Sequence, residues 1–552
     1  MGDMSTPRRR ALPVLVLALT MAVALVTACT SSGNAPSGAA GGSTAGSSAA
    51  GDSGSPSGGA SGSAAGNGSA SASGPIVPTA SSLRWSDCTG QYKGMKCATL
   101  RVPLDYANPG GRSVSIALSM VPATAPKSEQ QGIMLVNPGG PGGPGRGMAS
   151  WVAQGIDPNV AAQYDIVGFD PRGVGGSNPA LSCDPTFFLG ARPDYIPTSA
   201  AEEQRMITRA KNYAAGCGRR YGWLLPFMRT TDAVRDMDSI RAAFGVSQIT
   251  YYAFSYGTYL GQVYGTLFPG HVRRMVLDST VDPTGVWYAD NIAQDYAFQG
   301  RMNAFFAWTA RNDAAYNLGT TPDAVRKAWY KARGMLETSP IDVSGQPQIG
   351  PDEFDDTFLQ GGYGNWLWPA LARALSGYLV NGDSSGLVSA YQANGVQVEN
   401  EFAVYNAVQC SDVNWPRNWS KWQSDTEKVY KTAPFEAWDN AWFNAACAFW
   451  PVTGPAAPMQ IKGDSLPGIL MLQGTLDAAT PYAGAQAAHK LLPSARMVVV
   501  EGGGNHGQSL AAPPNDCVQR YLNDYLRDGT LPSAPGPVNA TCPVTADPTP
   551  GG

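Results

Sequence analysis

The chain has 552 residues, a net charge of −4 at pH 7 and 14% charged residues. No long basic block follows the N-terminal leader, so we expect no nucleic-acid partner. The length exceeds that of one hydrophobic core, which predicts a core domain with an insertion.

Residues 1–28 have the features of a lipoprotein signal peptide. Arginines at 8–10 precede an apolar run, 11–26, that is too short for a comfortable membrane span and has the flanks of an export signal. The run leads into small residues before Cys29, which resembles a bacterial lipobox and predicts lipidation of Cys29. The alternative is a plain secretory signal with an incidental cysteine. Either way, the sequence predicts an exported protein, and the lipobox places it on the outer face of the membrane.

The stretch 29–79 consists largely of glycine, serine and alanine, which predicts a flexible tether because such a composition cannot bury a core. Eight further cysteines form an even set in an exported chain, which favours disulfides. The sequence leaves their connectivity open. Pairing each cysteine with its nearest neighbour gives Cys88–Cys97, Cys183–Cys217, Cys410–Cys447 and Cys517–Cys542.

Strand-like runs alternate with helical patterns along the chain. In chain order the predicted strands are 114–121, 132–136, 165–169, 248–253, 274–277, 469–472 and 496–500. Among the helical patterns, one is capped by Thr231 and runs to Phe244, and another covers 518–526. This alternation predicts an α/β fold with a doubly wound, mostly parallel sheet.

The alternation stops between about 282 and 440, where the chain is rich in tryptophan, tyrosine and asparagine and carries helical patterns such as 323–336. We interpret 282–440 as a mostly helical cap. It would be inserted between two parts of the core domain, 80–281 and 441–545, and 546–552 would be a disordered tail.

Ser255 follows a β-branched and aromatic run and precedes a helical pattern. A nucleophile elbow has this order, with a strand, a sharp turn that carries the nucleophile, and a helix that starts at once. Gly257 supplies one small residue of the turn, whereas Ala253 stands where glycine is usual. That position requires a small residue more than a positive φ, so alanine can occupy it. We therefore predict that Ser255 is a catalytic nucleophile.

A serine nucleophile needs a neighbouring base, and the chain has three histidines. His506 lies in a glycine-rich loop directly after the predicted strand 496–500 and is the predicted base. His271 follows the elbow helix too closely to return to the serine, and His489 lies within a helical pattern.

The acid of such a triad follows the serine and precedes the histidine in chain order. Asp477 comes shortly after the buried strand 469–472, whereas Asp464 precedes that strand and would lie at the wrong end of the sheet. We predict that Asp477 orients His506 and stabilises its imidazolium form.

A glycine-rich loop, 137–145, follows the second predicted strand and occupies the place of an oxyanion loop. The predicted donors are the backbone N–H groups of Gly140 and Tyr256. The loop also matches the Gly-x-Gly-x-x-Gly pattern of dinucleotide sites, but Pro141 and Pro144 remove amides and break the helix that such a site needs.

Several stretches together resemble the secreted tripeptidyl aminopeptidases of actinobacteria, relatives of the proline iminopeptidases among the α/β-hydrolases. They are 137–145, 169–173 with Gly176 and Ser177, 255–259, 276–278 and 477–481. The resemblance spans about 80–545 and implies hydrolysis near the free N-terminus of peptides, beneath a cap. It also implies a cysteine and an aspartate in the cap, matched by Cys410 and Asp412.

An aminopeptidase must hold a protonated amine, and a buried ammonium needs a carboxylate partner. Glu399, Glu401 and Asp412 form the most concentrated acidic and aromatic stretch of the predicted cap, and we predict that they face this amine.

Two other functions use the same residues. An exported esterase or lipase would share the triad, and a binding protein could be built on an inactive hydrolase scaffold, although the complete Ser255, Asp477 and His506 set argues against the latter. We expect no cofactor and no metal ion. The predicted partners are a peptide substrate and the membrane, reached through the lipid on Cys29, and the predicted state is a monomer.

Overall fold

The computed structural model describes residues 83–190, 192–343 and 348–550. The predicted signal peptide, Cys29 and the whole of the predicted tether lie outside the described residues. Among the helices that the structure describes, none is both long enough and apolar enough to cross a lipid bilayer.

Within the described residues, one ten-stranded sheet forms the centre of the fold. Its strands are β1 (Ser86–Asp87), β2 (Lys96–Pro103), β3 (Ser113–Val121), β4 (Ile133–Asn137), β5 (Asp165–Asp170), β6 (Ile249–Phe254), β7 (Val272–Asp278), β8 (Ile469–Gly474), β9 (Ala495–Glu501) and β10 (Ala540–Pro543). The order across the sheet is β1-β2-β3-β5-β4-β6-β7-β8-β9-β10. The pairs from β1 to β5 along this order are antiparallel, and all later pairs are parallel. The predicted mostly parallel sheet is confirmed.

Helices follow most of these strands. In chain order the α-helices of the described chain are α1 (Met148–Gly155), α2 (Pro158–Ala161), α3 (Ala200–Tyr221), α4 (Thr230–Phe244), α5 (Tyr256–Leu267), α6 (Tyr288–Arg311), α7 (Asp313–Tyr316), α8 (Pro322–Thr338), α9 (Pro351–Tyr363), α10 (Trp368–Asn381), α11 (Ser385–Ala390), α12 (Glu399–Asp412), α13 (Trp419–Tyr430), α14 (Ala437–Asn444), α15 (Tyr482–Leu491) and α16 (Asp516–Asp528). Short 3₁₀ turns lie at Gly90–Tyr92, Leu225–Phe227, Pro269–His271, Asn365–Leu367 and Ala445–Phe449, and a π turn lies at Tyr391–Gly395.

Helices cover both faces of the sheet. Successive side chains of a strand point in opposite directions, so neighbouring residues of one strand pack in different clusters. Tyr251 of β6 packs in a cluster that includes the buried faces of α4 and α5. Its neighbour Tyr252 packs in a second cluster with α1 and α16. Every residue of β4, β6 and β8 is buried, as expected for central parallel strands. The arrangement is the doubly wound one that the sequence predicts.

Helix α4 begins at Thr230, one residue before the predicted cap Thr231. The N–H group of Thr230 donates to Asp412 Oδ1 (2.7 Å), and its hydroxyl donates to Asp412 Oδ2 (2.5 Å). A carboxylate that is distant in sequence therefore accepts the free backbone N–H group at the start of α4. The sequence near Thr230 cannot reveal this partner.

Helices α6 to α14 lie between β7 and β8 and form the helical cap. Helices α6 to α11 share a hydrophobic cluster that includes Phe305, Trp308, Trp329 and Phe358. The buried residues of α12 pack instead in the cluster of the sheet. The helical segment continues past residue 440 to the 3₁₀ turn Ala445–Phe449. A second cluster formed by helices explains why this segment interrupts the strand–helix alternation.

Four disulfides join the nearest-neighbour cysteines. The pairs are Cys88–Cys97, Cys183–Cys217, Cys410–Cys447 and Cys517–Cys542. The third of these ties α12 to the turn at the end of the cap.

The structure departs from the sequence prediction at 546–550, which contacts the cap. Trp308 Nε1 donates to the carbonyl of Pro548 (3.0 Å), and Arg311 forms an ion pair with Asp547 (3.0 Å). Prolines restrict the unfolded chain, so ordering this segment costs less entropy than ordering a glycine-rich tail.

Candidate active site

Ser255 lies at the turn between β6 and α5 with φ 56° and ψ −131°. A positive φ is strained for a residue with a side chain, and the neighbouring contacts hold it. The Ser255 N–H group donates to the carbonyl of Asp278 (3.1 Å), and the N–H group of Thr258 donates to the carbonyl of Ser255 (2.8 Å). These are the features of a nucleophile elbow.

Small residues are required around this turn. A Cβ added to Gly257 would lie 2.8 Å from Asn137 Oδ1 and 2.9 Å from the Cβ of Ala253. A Cβ added to Gly139 would lie 2.8 Å from the Cβ of Ser255. The methyl group of Ala253 is therefore tolerated at an elbow position because Gly257, opposite it, has no side chain.

Asp477 and His506 lie together beyond the carboxyl ends of β8 and β9. His506 Nδ1 is 3.0 Å from Asp477 Oδ1 and 3.1 Å from Oδ2. The N–H group and the hydroxyl of Thr480 donate to the same carboxylate, each at 3.1 Å. Burial lowers the pKa of His506, but the Asp477 carboxylate, with a smaller contribution from Asp278, outweighs this effect and raises the pKa above its usual value.

Asp278, at the end of β7, connects the serine turn with the histidine loop. Its carbonyl accepts the N–H group of Ser255, and its carboxylate accepts the N–H groups of Gln508 and Ser509, each at 2.8 Å. Burial raises the pKa of Asp278 to about 6. In the sequence, Asp278 stands out only as part of the family pattern, because its contacts come from across the sheet.

The glycine-rich loop after β4 lies against Ser255. Gly140 and Tyr256 line the same cavity as Ser255, and neither of their N–H groups donates to another group of the described residues. Helix α1 begins only at Met148, so the glycines do not open a helix as a dinucleotide site requires. The free amides have the chemistry of an oxyanion hole.

A cavity of about 280 Å³ adjoins Ser255 between the core and the cap. Aromatic residues form part of its wall, among them Trp287, Tyr363 and Phe443. Its carboxylates are Asp282, Asp290, Asp356, Glu436 and Asp439. The cavity thus combines apolar surface with a concentration of acidic side chains.

Glu436 and Asp439 of the cavity wall form an acidic cluster with Asp295. Glu436 and Asp439 are both buried, and burial, with repulsion from neighbouring carboxylates, raises their pKa values well above the usual range. Burial raises the pKa of Asp295, beside them, to about 8 although Asn440 donates a hydrogen bond to it (2.8 Å).

No cation of the described residues forms an ion pair with this cluster. Arg192 pairs instead with Asp356 (2.8 Å) and Glu353 (2.6 Å). Glu436 Oε2 is buried and has no hydrogen-bond partner within the described chain. The arrangement has the chemistry to bind a cation with several N–H groups.

The three carboxylates proposed from sequence for the amine do not line this cavity. Glu399 Oε1 accepts the N–H group of Cys183 (2.8 Å) and the hydroxyl of Tyr213 (2.9 Å), and Asp412 caps α4. Glu401 packs its backbone carbonyl where a Cβ on Gly142 would lie, and burial raises the pKa of its carboxyl to about 7.

Comparison with known proteins gives two family models and several close relatives. The model described as alpha/beta hydrolase fold matches residues 132–326, and the model described as TAP-like protein matches 433–542. The tripeptidyl aminopeptidase of Streptomyces lividans is 39% identical over 498 residues, which cover 87% of this chain and 90% of that protein.

Two mycobacterial proteins are similar over nearly the same length. Carboxylesterase B of Mycobacterium tuberculosis is 31% identical over 83% of this chain and 90% of its own length. Serine protease Hip1 of the same species is 30% identical over 83% of this chain and 91% of its own length. The relatives thus include proteins named as a tripeptidyl aminopeptidase, a carboxylesterase and a serine protease.

Proposed function

Because this chain belongs to the tripeptidyl aminopeptidase family of α/β-hydrolases, we propose that it is an exported serine aminopeptidase that cleaves peptides near a free N-terminus. The observation that carries the aminopeptidase activity is the buried acidic cluster beside Ser255. A cavity of this kind accepts a protonated amine, whereas an acyl chain without a charge gains nothing from it.

In the proposed mechanism Ser255 Oγ attacks the scissile carbonyl, and His506 takes the hydroxyl proton. Asp477 holds the imidazole in the tautomer that presents Nε2 to the serine and stabilises the imidazolium that forms. The N–H groups of Gly140 and Tyr256 donate to the oxyanion of the tetrahedral intermediate.

His506 then protonates the leaving amine, the C–N bond breaks, and an acyl-enzyme on Ser255 remains. A water molecule gives a proton to His506 and attacks the ester. Collapse of the second intermediate releases the new carboxylate and returns the proton to Ser255.

Glu436 and Asp439 are the proposed partners of the substrate α-ammonium. The ammonium supplies the cation that the cluster lacks, and its N–H groups reach the unpartnered oxygen of Glu436. Fixing this end of the peptide places a particular bond at Ser255, and the cap closes the far end of the cavity.

The test compares a short peptide that has a free N-terminus with its N-acetylated form. We expect kcat/KM to fall by about tenfold or more on acetylation, the low end of the value of a hydrogen bond to a charged group. Equal rates on the two peptides would contradict the aminopeptidase activity. A serine-directed fluorophosphonate should label the wild-type protein and leave Ser255→Ala unlabelled.

An esterase is the second candidate, because a relative named carboxylesterase B matches over most of the chain. Acyl-enzyme chemistry serves esters equally well. A short neutral ester hydrolysed faster than any free peptide, with acetylation of the peptide having no effect, would favour this candidate.

We also propose that the protein is held at the outer face of the cell membrane by a lipid on Cys29. The four disulfides support an oxidising compartment outside the cytoplasm. Cys29→Ser should release the enzyme from the membrane fraction without loss of peptidase activity. Retention of the variant on the membrane would exclude this anchor.

A further inference from the structure

The histidine loop, residues 501–507, is held from the cap side as well as from the core. The N–H group of His506 donates to the carbonyl of Tyr363 (2.7 Å), at the end of α9. The N–H group of Asn365 donates to Asn505 Oδ1 (2.9 Å). The cap therefore forms part of the framework that places the catalytic imidazole.

Arg301, on α6 of the cap, reaches this loop and is 6% exposed. A Cβ added to Gly504 would lie 2.0 Å from Arg301 Nη1, so the guanidinium fills the space that this glycine leaves. The other side of the guanidinium lies over the ring of Trp368, with Cζ 4.9 Å from the centroid.

A buried guanidinium normally has a carboxylate partner, because an unpaired buried charge is costly. Arg301 forms no ion pair with the described residues, and its Nε and Nη2 atoms have no hydrogen-bond acceptor among them. Burial lowers its pKa to about 10, against the opposing charges of Asp477 and Asp547. The fold therefore keeps an unpaired cation close to the acid of the triad.

The charge of the Asp477–His506 pair explains this placement. The pair carries one negative charge when the imidazole is neutral and none when it is protonated. A nearby cation stabilises the negative form, in which His506 can accept the serine proton. Asp477 and Asp278 act in the opposite direction, since both favour the imidazolium.

We propose that Arg301 is a positioning residue that packs the histidine loop against the cap and holds the Asp477–His506 pair in its base form. The inference rests on the proposed serine-hydrolase function. The charged and titratable groups around the pair are Asp477, Asp278, Tyr363, Arg301 and, farther out, Asp547. Among these groups of the described residues, Arg301 alone is a cation.

The test measures the second-order rate of fluorophosphonate labelling at Ser255 from pH 5 to 9, because this rate reports the serine and histidine without the substrate amine. Arg301→Met removes the charge and keeps most of the volume. We expect its acidic limb to move up by about 1 pH unit. This is less than the roughly 3 units of two unit charges about 4 Å apart in an effective dielectric of about 20, because Arg301 forms no direct ion pair with Asp477 within the described chain.

Arg301→Lys keeps the charge, and its acidic limb should return to within about 0.3 pH unit of the wild type. The matched control is Arg326→Met, which removes an arginine of α8 that pairs with Asp323 on the surface of the cap (2.9 Å). The acidic limb of the labelling rate of Arg326→Met should coincide with that of the wild type.

Gly504→Ala provides a second perturbation if Arg301→Met does not fold. The added methyl displaces the guanidinium without removing it, and the acidic limb should shift upward by a smaller amount. An unshifted limb in both variants, or equal shifts in Arg301→Met and Arg301→Lys, would overturn the inference. Failure of the wild type to be labelled at Ser255 would instead overturn the proposed function.

Discussion

Neutralising Glu436 tests the proposed amine site most directly. The change Glu436→Gln keeps the shape of the side chain and removes its charge. A hydrogen bond between charged groups contributes about 1.5–3 kcal/mol, or about 10- to 150-fold in specificity. The expected loss lies toward the lower end of this range. Removing the Glu436 carboxylate lowers the repulsion within the cluster, so the neighbouring Asp439 and Asp295 ionise more easily and partly replace it. We therefore expect a loss of about 10- to 30-fold in kcat/KM on a free peptide.

The loss should appear mainly in KM. The ammonium is remote from the reacting bond and gains the same contact in the bound substrate and in the transition state. The N-acetylated peptide, which carries no ammonium, should be hydrolysed by Glu436→Gln within about twofold of the wild-type rate. Glu427→Gln removes an exposed carboxylate of α13 and serves as the control, with no change on either peptide.

Stability should change in the opposite direction to activity. The pKa of Glu436 is raised in the folded protein, so the unfolded chain ionises more readily than the folded one. This difference opposes folding increasingly as the pH rises from the unfolded pKa of Glu436 to its folded pKa, is fully present above the folded value and vanishes below the unfolded value. Glu436→Gln should therefore unfold at an equal or higher temperature than the wild type at pH 8. Equal loss of activity on the free and acetylated peptides would refute the assignment of Glu436, and a lower unfolding temperature would refute the electrostatic argument.

Further predictions concern the triad and the elbow. Ser255→Ala should fold and lose turnover by roughly a million-fold, and Asp477→Asn should lose on the order of ten-thousand-fold through the wrong tautomer, both measured with saturating peptide. Burial lowers the pKa of His506, but Asp477 raises this pKa by a larger amount, so the acidic limb of the labelling rate should lie above pH 6.5. A limb below pH 6.5 would show that burial outweighs the Asp477 carboxylate. Gly257→Ala should destabilise the protein by about 1–3 kcal/mol in urea unfolding, and adding Ala253→Gly should restore part of the loss; no restoration would show that the two side chains do not compete.

The core strands and the proximity of Asp477 to His506 could be predicted because they depend on local order along the chain. Parallel strands end at one edge of the sheet, so Ser255, Asp477 and His506, each shortly after a buried strand, had to lie near each other. Strands β1 and β10 escaped prediction because two and four residues carry too little pattern. The alternation of β2 is broken at its buried end, and it was missed as well.

The proposed amine site could not be predicted because the acidic residues of its cavity come from separate helices. Asp290 lies in α6, Asp356 in α9 and Asp439 in α14, and only the packing of the cap brings them to one cavity. The high density of acidic residues in 399–412 led to a different set of residues for the amine. Glu399 and Asp412 accept backbone N–H groups of the core instead. A weak signal was present in the spacing of Glu436 and Asp439, which lie on one face of a helical turn among aromatic residues.

The cap carries two sets of unpaired ionisable groups that folding alone would not favour. Within the described residues, Glu436 and Asp439 lie buried without a cation, and Arg301 lies buried without an anion partner, although these groups brought together would have formed ion pairs. They are instead separated, with the acidic groups in the cavity and the guanidinium beside the histidine loop. In the proposed function each is completed by something that only catalysis provides, the ammonium of a peptide in one case and the negative form of the Asp477–His506 pair in the other. These unpaired groups lower the stability of the fold, and in the proposed function they favour substrate binding and proton transfer. This is the pattern expected when a buried polar group is retained for function.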